Sequence, residues 1–127
     1  MESLALLVDD DPHTLLLMEH ILGPVGCKMV TAADGLDALN ILQTETPNMI
    51  FLDILMPHVT GLDVLNFIIE TPRLNQMYVV VLSSQQRRLF ADAPQLARAD
   101  AYLVKPISPV VMRQMAQQVV ASFVGEV

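Results

Sequence analysis

Met49-Ile50-Phe51-Leu52-Asp53-Ile54-Leu55-Met56-Pro57 decides the reading of this chain. Its first four residues form a continuous apolar run of the kind expected of a strand buried on both faces, and the run ends on a carboxylate, Asp53. A charge delivered to the end of a buried strand implies a task, because an ionised carboxylate is costly to take out of water. Near the start, Leu4-Ala5-Leu6-Leu7-Val8 repeats the pattern and ends on Asp9, Asp10 and Asp11. Two strands that end in acid predict one shared site.

Apolar runs at 28–32, 78–82 and 101–104 join those at 4–8 and 49–52, and the segments between them carry helical periodicity. The alternation predicts an α/β fold with a five-stranded parallel sheet covered by helices on both faces. The first helix is expected to be capped by Asp11, with Pro12 at its first position, Leu15, Leu16, Met18, Ile21 and Leu22 on its apolar side, and Gly23 as its stop. A second helix runs from about Gly35 through Leu42 and is expected to bury Leu36, Leu39 and Leu42. A third follows Gly61 with Leu62, Leu65 and Ile69 on one face, and the last opens on Ser108 as cap and Pro109. The fourth helical segment is irregular. Pro94 falls where a helix interior belongs, so a mobile stretch at 84–91 followed by a short helix capped by Asp92 is expected there.

With 127 residues the chain is long enough for one domain with a full core, and a single globular domain over residues 1–127 is predicted. The apolar fraction of 53% is high, but no apolar stretch approaches the roughly 18 residues of a membrane span. No charged leader precedes the first apolar run, so a cytoplasmic location is the default. A net charge of −7 argues against direct binding to nucleic acid or to an anionic membrane. Arg87-Arg88 is the only basic doublet and reads as a solvated face. Cys27 is the single cysteine and reads as a small structural residue, while His13, His20 and His58 share no ligand spacing. His58 lies in the loop beside the acidic site. The eight methionines read mostly as core fillers.

In an open parallel sheet, ligands sit outside the carboxyl ends of the strands. Asp9 and Asp10 follow the first strand, Asp53 the third, Ser83 the fourth and Lys105 the fifth. Clustered carboxylates raise one another's pKa and need a compensating cation, and a set of hard oxygen donors suits magnesium. Lys105 supplies a second positive charge. A hydroxyl, an ammonium, a divalent cation and a carboxylate nucleophile are what phosphoryl transfer onto an aspartate requires.

Leu7-Val8-Asp9-Asp10-Asp11-Pro12, Leu52-Asp53-Ile54-Leu55-Met56-Pro57 with Gly61 four later, Val81-Leu82-Ser83-Ser84 and Tyr102-Leu103-Val104-Lys105-Pro106 together resemble the response regulator receiver domain of two-component signalling. The intervals also resemble that family, with 43 residues from Asp10 to Asp53, 30 from Asp53 to Ser83 and 22 from Ser83 to Lys105. The resemblance covers essentially the whole chain and implies a doubly wound, flavodoxin-like (βα)5 fold. It implies that Asp53 accepts a phosphoryl group from a histidine kinase or phosphotransfer protein, and that the chain catalyses only its own phosphorylation and dephosphorylation. It further implies Mg2+ held by Asp10, Asp53 and the Leu55 carbonyl, with Asp9 acting through water. Ser83 and Tyr102 become a switch pair, Lys105 a contact to the phosphoryl oxygens, and the Lys105–Pro106 bond cis.

Several positions depart from the family pattern. Ser83 stands where Thr is commoner and keeps the hydroxyl. Leu55 and Gln85 occupy positions that control water access. Arg98 replaces a usual Gly before the fifth strand, which predicts either a positive φ with about 1 kcal/mol of strain or a different loop path. Pro94 alters the fourth helix, part of a face through which many receivers dimerise. In the last helix, Met112, Met115, Val119 and Phe123 make a stripe that Val110, Val120 and Val124 widen. The extra apolar edge fits an output partner, a homodimer, or a helix that continues into an output domain.

Two other functions are weighed. Asp9-x-Asp11 also suits a haloacid dehalogenase-like phosphatase, but that class needs an acidic pair after the lysine, and Glu126 is the only carboxylate side chain beyond Lys105. A receiver-like binding module independent of phosphate is normally marked by a lost acidic or lysine position, and none is lost here.

Overall fold

In the computed structural model, residues 3–84 and 92–125 are described, the side chains of 123–125 excepted. Five strands, β1 (Leu4–Val8), β2 (Lys28–Ala32), β3 (Met49–Asp53), β4 (Tyr78–Ser83) and β5 (Ala101–Val104), form one sheet in the order β2-β1-β3-β4-β5. Every pairing is parallel. This is the doubly wound, flavodoxin-like order, and its direction of winding reverses between β1 and β3.

The helices α1 (Pro12–Leu22), α2 (Gly35–Thr44), α3 (Gly61–Glu70) and α4 (Pro109–Gly125) cover both faces. Alternation along each strand sorts the core into two layers. Leu6, Val8, Ile50, Leu52, Val79 and Val81 pack with residues of α2 and α3. Leu7, Met49, Phe51, Val80, Leu82 and Leu103 pack with residues of α1 and α4. β1, β3 and β4 are therefore apolar at nearly every position, which is why they read as unbroken runs. Cys27 is a buried free thiol in the second layer, and burial pushes its pKa up.

The expected caps at Asp11 and Ser108 are present, with Asp11 accepting from the His13 amide at 2.9 Å and Ser108 Oγ from the Val111 amide at 3.3 Å. Thr60 and Asp63 add a capping box at α3. The first helix ends at Leu22 with Gly23 as its C-cap, as expected; Gly23 has φ −49° and opens a 3-10 turn, and Gly26 supplies the positive φ of 83°.

The buried face of α1 is as expected except at Leu16, and those of α2 and α3 depart further. Leu16, Leu36 and Ile69 are 67%, 58% and 50% exposed, and Leu39 and Leu62 are only half-buried. In α2 the inward face is Gly35, Ala38 and Leu42, because the helix start lies too close to Val59 for a side chain at 35. In α3 it is Gly61, Val64, Leu65 and Ile68. Leu42 and Leu65 are buried as expected, while the remaining inward positions lie one residue earlier than the apolar pattern indicates, since closest approach is set by small residues that carry no apolar signal.

Between β4 and β5 the expected short helix is a 3-10 turn, Pro94–Arg98, whose N-cap is Ala93 with no side-chain cap; Asp92 does not cap it. Among the described residues only His58 combines a side chain with positive φ, at 65°, so Arg98 carries no such strain and the loop takes the other path. Its guanidinium is bonded instead to the carbonyls of Leu74, Asn75 and Met77. Gln85 and Arg87-Arg88 lie outside the described residues. On α4, Met112 is buried, Met115, Val119 and Val120 are half-buried and Val110 is exposed, while the side chains of Phe123 and Val124 are not described.

Gly61 locks the end of β3 to the start of α3. A Cβ there would overlap the Asp53 carbonyl and Ile54 Cα, while the Gly61 amide donates to the Ile54 carbonyl at 3.1 Å. Gly61→Ala is expected to cost about 2 kcal/mol in urea unfolding, in the range of other overpacked positions. An unchanged midpoint would show that the loop yields freely.

Candidate functional site

The reversal of winding places the ends of β1 and β3 side by side, with β4 and β5 following. Asp9, immediately after β1, is fully buried, and its Oδ1 accepts the Asp11 amide at 2.9 Å. Asp53, the last residue of β3, is 4% exposed, and its Oδ1 accepts the Leu55 amide at 3.1 Å. Asp10 is exposed at the mouth. Ligand oxygens of Asp9, Asp10 and Asp53 come within 4.8 Å of one another. Ser83 closes β4, and its Oγ is buried with no hydrogen-bond partner among the described residues.

Lys105 enters from β5. Its amide donates to the Ser83 carbonyl at 2.8 Å, and the bond to Pro106 is cis. The Nζ lies 2.7 Å from Asp9 Oδ2 and 3.4 Å from Asp53 Oδ2, so the ammonium bridges both buried carboxylates and is closer to Asp9. Asp9, Asp10, Asp53, Ser83 and Lys105 are thus brought to one sheet edge, as expected from strand ends. Tyr102 lies on β5 paired with Val81, with its hydroxyl donating to the Leu96 carbonyl at 2.9 Å. Leu55, Ser83, Leu96 and Tyr102 help line a small cavity beside the acidic cluster. His58 is exposed in the adjoining loop.

The electrostatics follow from this packing. Burial, reinforced by the negative charge of Asp9, pushes the Asp53 carboxyl up to about 7; Lys105 and the Leu55 amide act against the rise. Burial opposes the charge on Lys105, but the hydrogen bond to Asp9 and the charges of Asp53 and Asp9 outweigh it and hold the ammonium above its ordinary range. Asp11, by contrast, is a cap whose carboxyl is held below its usual range by the His13 amide. The site is one ammonium facing a tight group of carboxylates, with a buried hydroxyl that has no partner among the described residues. A divalent cation with oxygen ligands fits such a donor set. A phosphoryl group supplies acceptors for the ammonium and the hydroxyl.

Sequence reading missed Arg98 and Asp100 as partners. Asp100 Oδ2 accepts the Val79 amide at 2.8 Å and Arg98 Nη1 at 3.1 Å. Only the charge pair itself was visible in the sequence, and its other partners lie 21 to 24 residues away.

Comparisons with known proteins agree with this geometry. The family model of the response regulator receiver domain matches residues 5–117. Protein PilG of Pseudomonas aeruginosa is 34% identical over 108 residues, covering 84% of this chain and 80% of that protein. A 14.6 kDa protein encoded in the sodA1 3′ region of Leptolyngbya boryana is 28% identical over 127 residues, covering 97% of each chain. The chemotaxis response regulator CheY4 of Vibrio cholerae superposes with a TM-score of 0.81 at 26% identity, covering 94% of this chain and 99% of that one. Among the described residues, no helix is long and apolar enough to cross a membrane. With three carboxylates, a bridging lysine and a strand-end serine in place, and a family match across nearly its whole length, the chain belongs to the response regulator receiver domain family.

Proposed function

We propose that residues 1–127 act as one receiver unit that accepts a phosphoryl group on Asp53 from the phosphohistidine of a histidine kinase or phosphotransfer protein. One observation carries the reading: the buried carboxylate of Asp53 lies within reach of Lys105 and in a cluster with Asp9 and Asp10, beside an unpartnered buried hydroxyl.

An ionised Asp53 oxygen attacks phosphorus, the P–N bond breaks, and its electron pair stays on the departing imidazole nitrogen, which takes up a proton. Lys105 follows the negative charge from the two carboxylates to the new phosphoryl oxygens. Ser83 Oγ then donates to one of them, and Tyr102 moves in behind it. Asp10, Asp53 and the Leu55 carbonyl would hold Mg2+, with Asp9 contributing through water. Bound Mg2+ supplies positive charge that offsets the carboxylates and the phosphoryl oxygens. The protein turns over only its own acyl phosphate. Its setting is cytoplasmic, it binds no nucleic acid directly, and its output passes to a partner, a further domain or a second copy.

Titration with beryllofluoride tests the assignment. Amide resonances around Asp53, Ser83 and Tyr102 are expected to shift only when Mg2+ is present and to return on chelation. A shift that ignores chelation, or none at all, would count against the acceptor reading.

A further inference from the structure

The turn Pro94–Arg98 is held from two sides. On one, Tyr102 donates its hydroxyl to the Leu96 carbonyl at 2.9 Å. On the other, the Arg98 guanidinium donates to the carbonyls of Met77 at 2.8 Å, Leu74 at 3.2 Å and Asn75 at 3.4 Å. It also pairs with Asp100 at 3.1 Å, and Asp100 is itself anchored to the Val79 amide at 2.8 Å. Leu96 is buried in the core layer that contains α3 residues. Pairing of Val81 with Tyr102 and the two-residue alternation of β4 put Ser83 and Tyr102 on the same face of the sheet.

A hydroxyl bonded to a loop that could follow it would resist nothing. This loop cannot follow, because a planar guanidinium with several fixed acceptors ties it to the segment before β4. We propose that Arg98 and the Leu96 carbonyl form a latch on Tyr102, and that the strength of this latch sets how readily the acceptor site takes up its phosphoryl group. The inference rests on the reading of Asp53 as acceptor and Tyr102 as its switch partner. Arg98 is a positioning residue: it acts through Leu96 and Tyr102, and its carboxylate partner among the described residues is Asp100 rather than Asp9, Asp10 or Asp53 of the acceptor site. A ligand that favours the released arrangement binds more tightly when the resting one is weakened, by the factor through which the competent fraction rises.

The experiment is a beryllofluoride titration in saturating Mg2+, with urea unfolding run on each variant. Tyr102→Phe removes one hydrogen bond and is expected to lower the apparent dissociation constant about fivefold. Arg98→Gln is expected to move it in the same direction, and Asp100→Asn, which keeps an oxygen for the Val79 amide, to do so more weakly. The double variant Tyr102→Phe, Arg98→Gln should bind no more tightly than Tyr102→Phe alone, because the guanidinium has then lost the group through which it acts. If Arg98→Gln does not fold, Asp100→Asn takes its place in the cycle. Lower stability with unchanged affinity, weaker binding in Tyr102→Phe, or additive effects in the cycle would each overturn the latch. A wild-type protein that shows no magnesium-dependent response overturns the acceptor reading itself, which separates the two failures.

Discussion

Asp53→Asn is expected to abolish acyl-phosphate formation from acetyl phosphate and, in the absence of metal, to stabilise the fold by about 2 kcal/mol at pH 8 after allowance for screening at the cleft mouth. Loss of label follows from loss of the nucleophile. The gain in stability follows from the electrostatics: Asp53 is buried, lies beside Asp9, and has its carboxyl pushed up to about 7. A carboxyl whose folded pKa lies above its unfolded value of 3.8 binds protons on folding, so its neutral form belongs to the stable protein. Wild-type stability should fall as pH rises from about 4 through about 7 and then level off, whereas an amide at this position has no charge to bury. The difference between the two proteins in urea unfolding should be small at pH 4.5 and largest at pH 8. A difference independent of pH, or a destabilised Asn variant at pH 8, would show that Lys105 already compensates Asp53 in full. Retained label on the Asn variant would move the acceptor elsewhere.

Lys105→Met is the opposite manipulation. It keeps an unbranched side chain and leaves Asp9 and Asp53 buried without their shared cation. Removing one member of a buried ion pair is strongly destabilising because the partner charge is left uncompensated, so a loss of about 3 kcal/mol is expected at pH 8 in metal-free buffer. The loss should shrink towards pH 5, because without the ammonium the Asp53 carboxyl rises further and protonates sooner. Millimolar Mg2+ should restore part of the stability while phosphoryl uptake stays at least about a hundredfold below wild type, since electrostatic stabilisation of the phosphoryl oxygens is lost. Chemical unfolding with and without Mg2+, paired with acetyl phosphate labelling, reads both quantities. A variant as stable as wild type at pH 8 would mean that the Lys105 bridge contributes little. Arg is a poor substitute, because a planar fork does not fit a position where one nitrogen serves two carboxylates from 2.7 and 3.4 Å.

The acidic site was legible because of a property of parallel sheets. Strands that all run one way deliver their C-terminal residues to one edge, so Asp9, Asp53, Ser83 and the residues leading to Lys105 converge whatever the details of the loops. The helices were legible as elements and less so as faces. Leu36 and Ile69 carry strong apolar signals yet face outward, because Gly35 and Gly61 take the close contacts with Val59 and with the Asp53 carbonyl and set the rotation of α2 and α3. Pro94 announced a disruption before β5 but not its form. A 3-10 turn without a side-chain cap is held by tertiary partners, here Arg98 on the Leu74–Met77 segment and Tyr102 on Leu96.

What the sequence determined by itself is the order of elements, the parallel sheet, and the inventory of three carboxylates, a hydroxyl and a lysine at strand ends. Periodicity and strand-end chemistry are local properties, and local properties survive in a linear string. The tertiary structure alone decided that Lys105 sits nearer Asp9 than Asp53, that burial lifts the Asp53 carboxyl to about 7, and that Arg98 ties the turn to a distant loop. Each depends on a distance between residues far apart in the chain. Coulomb energy and desolvation respond to such distances at the scale of a single ångström, which no spacing along a sequence can specify.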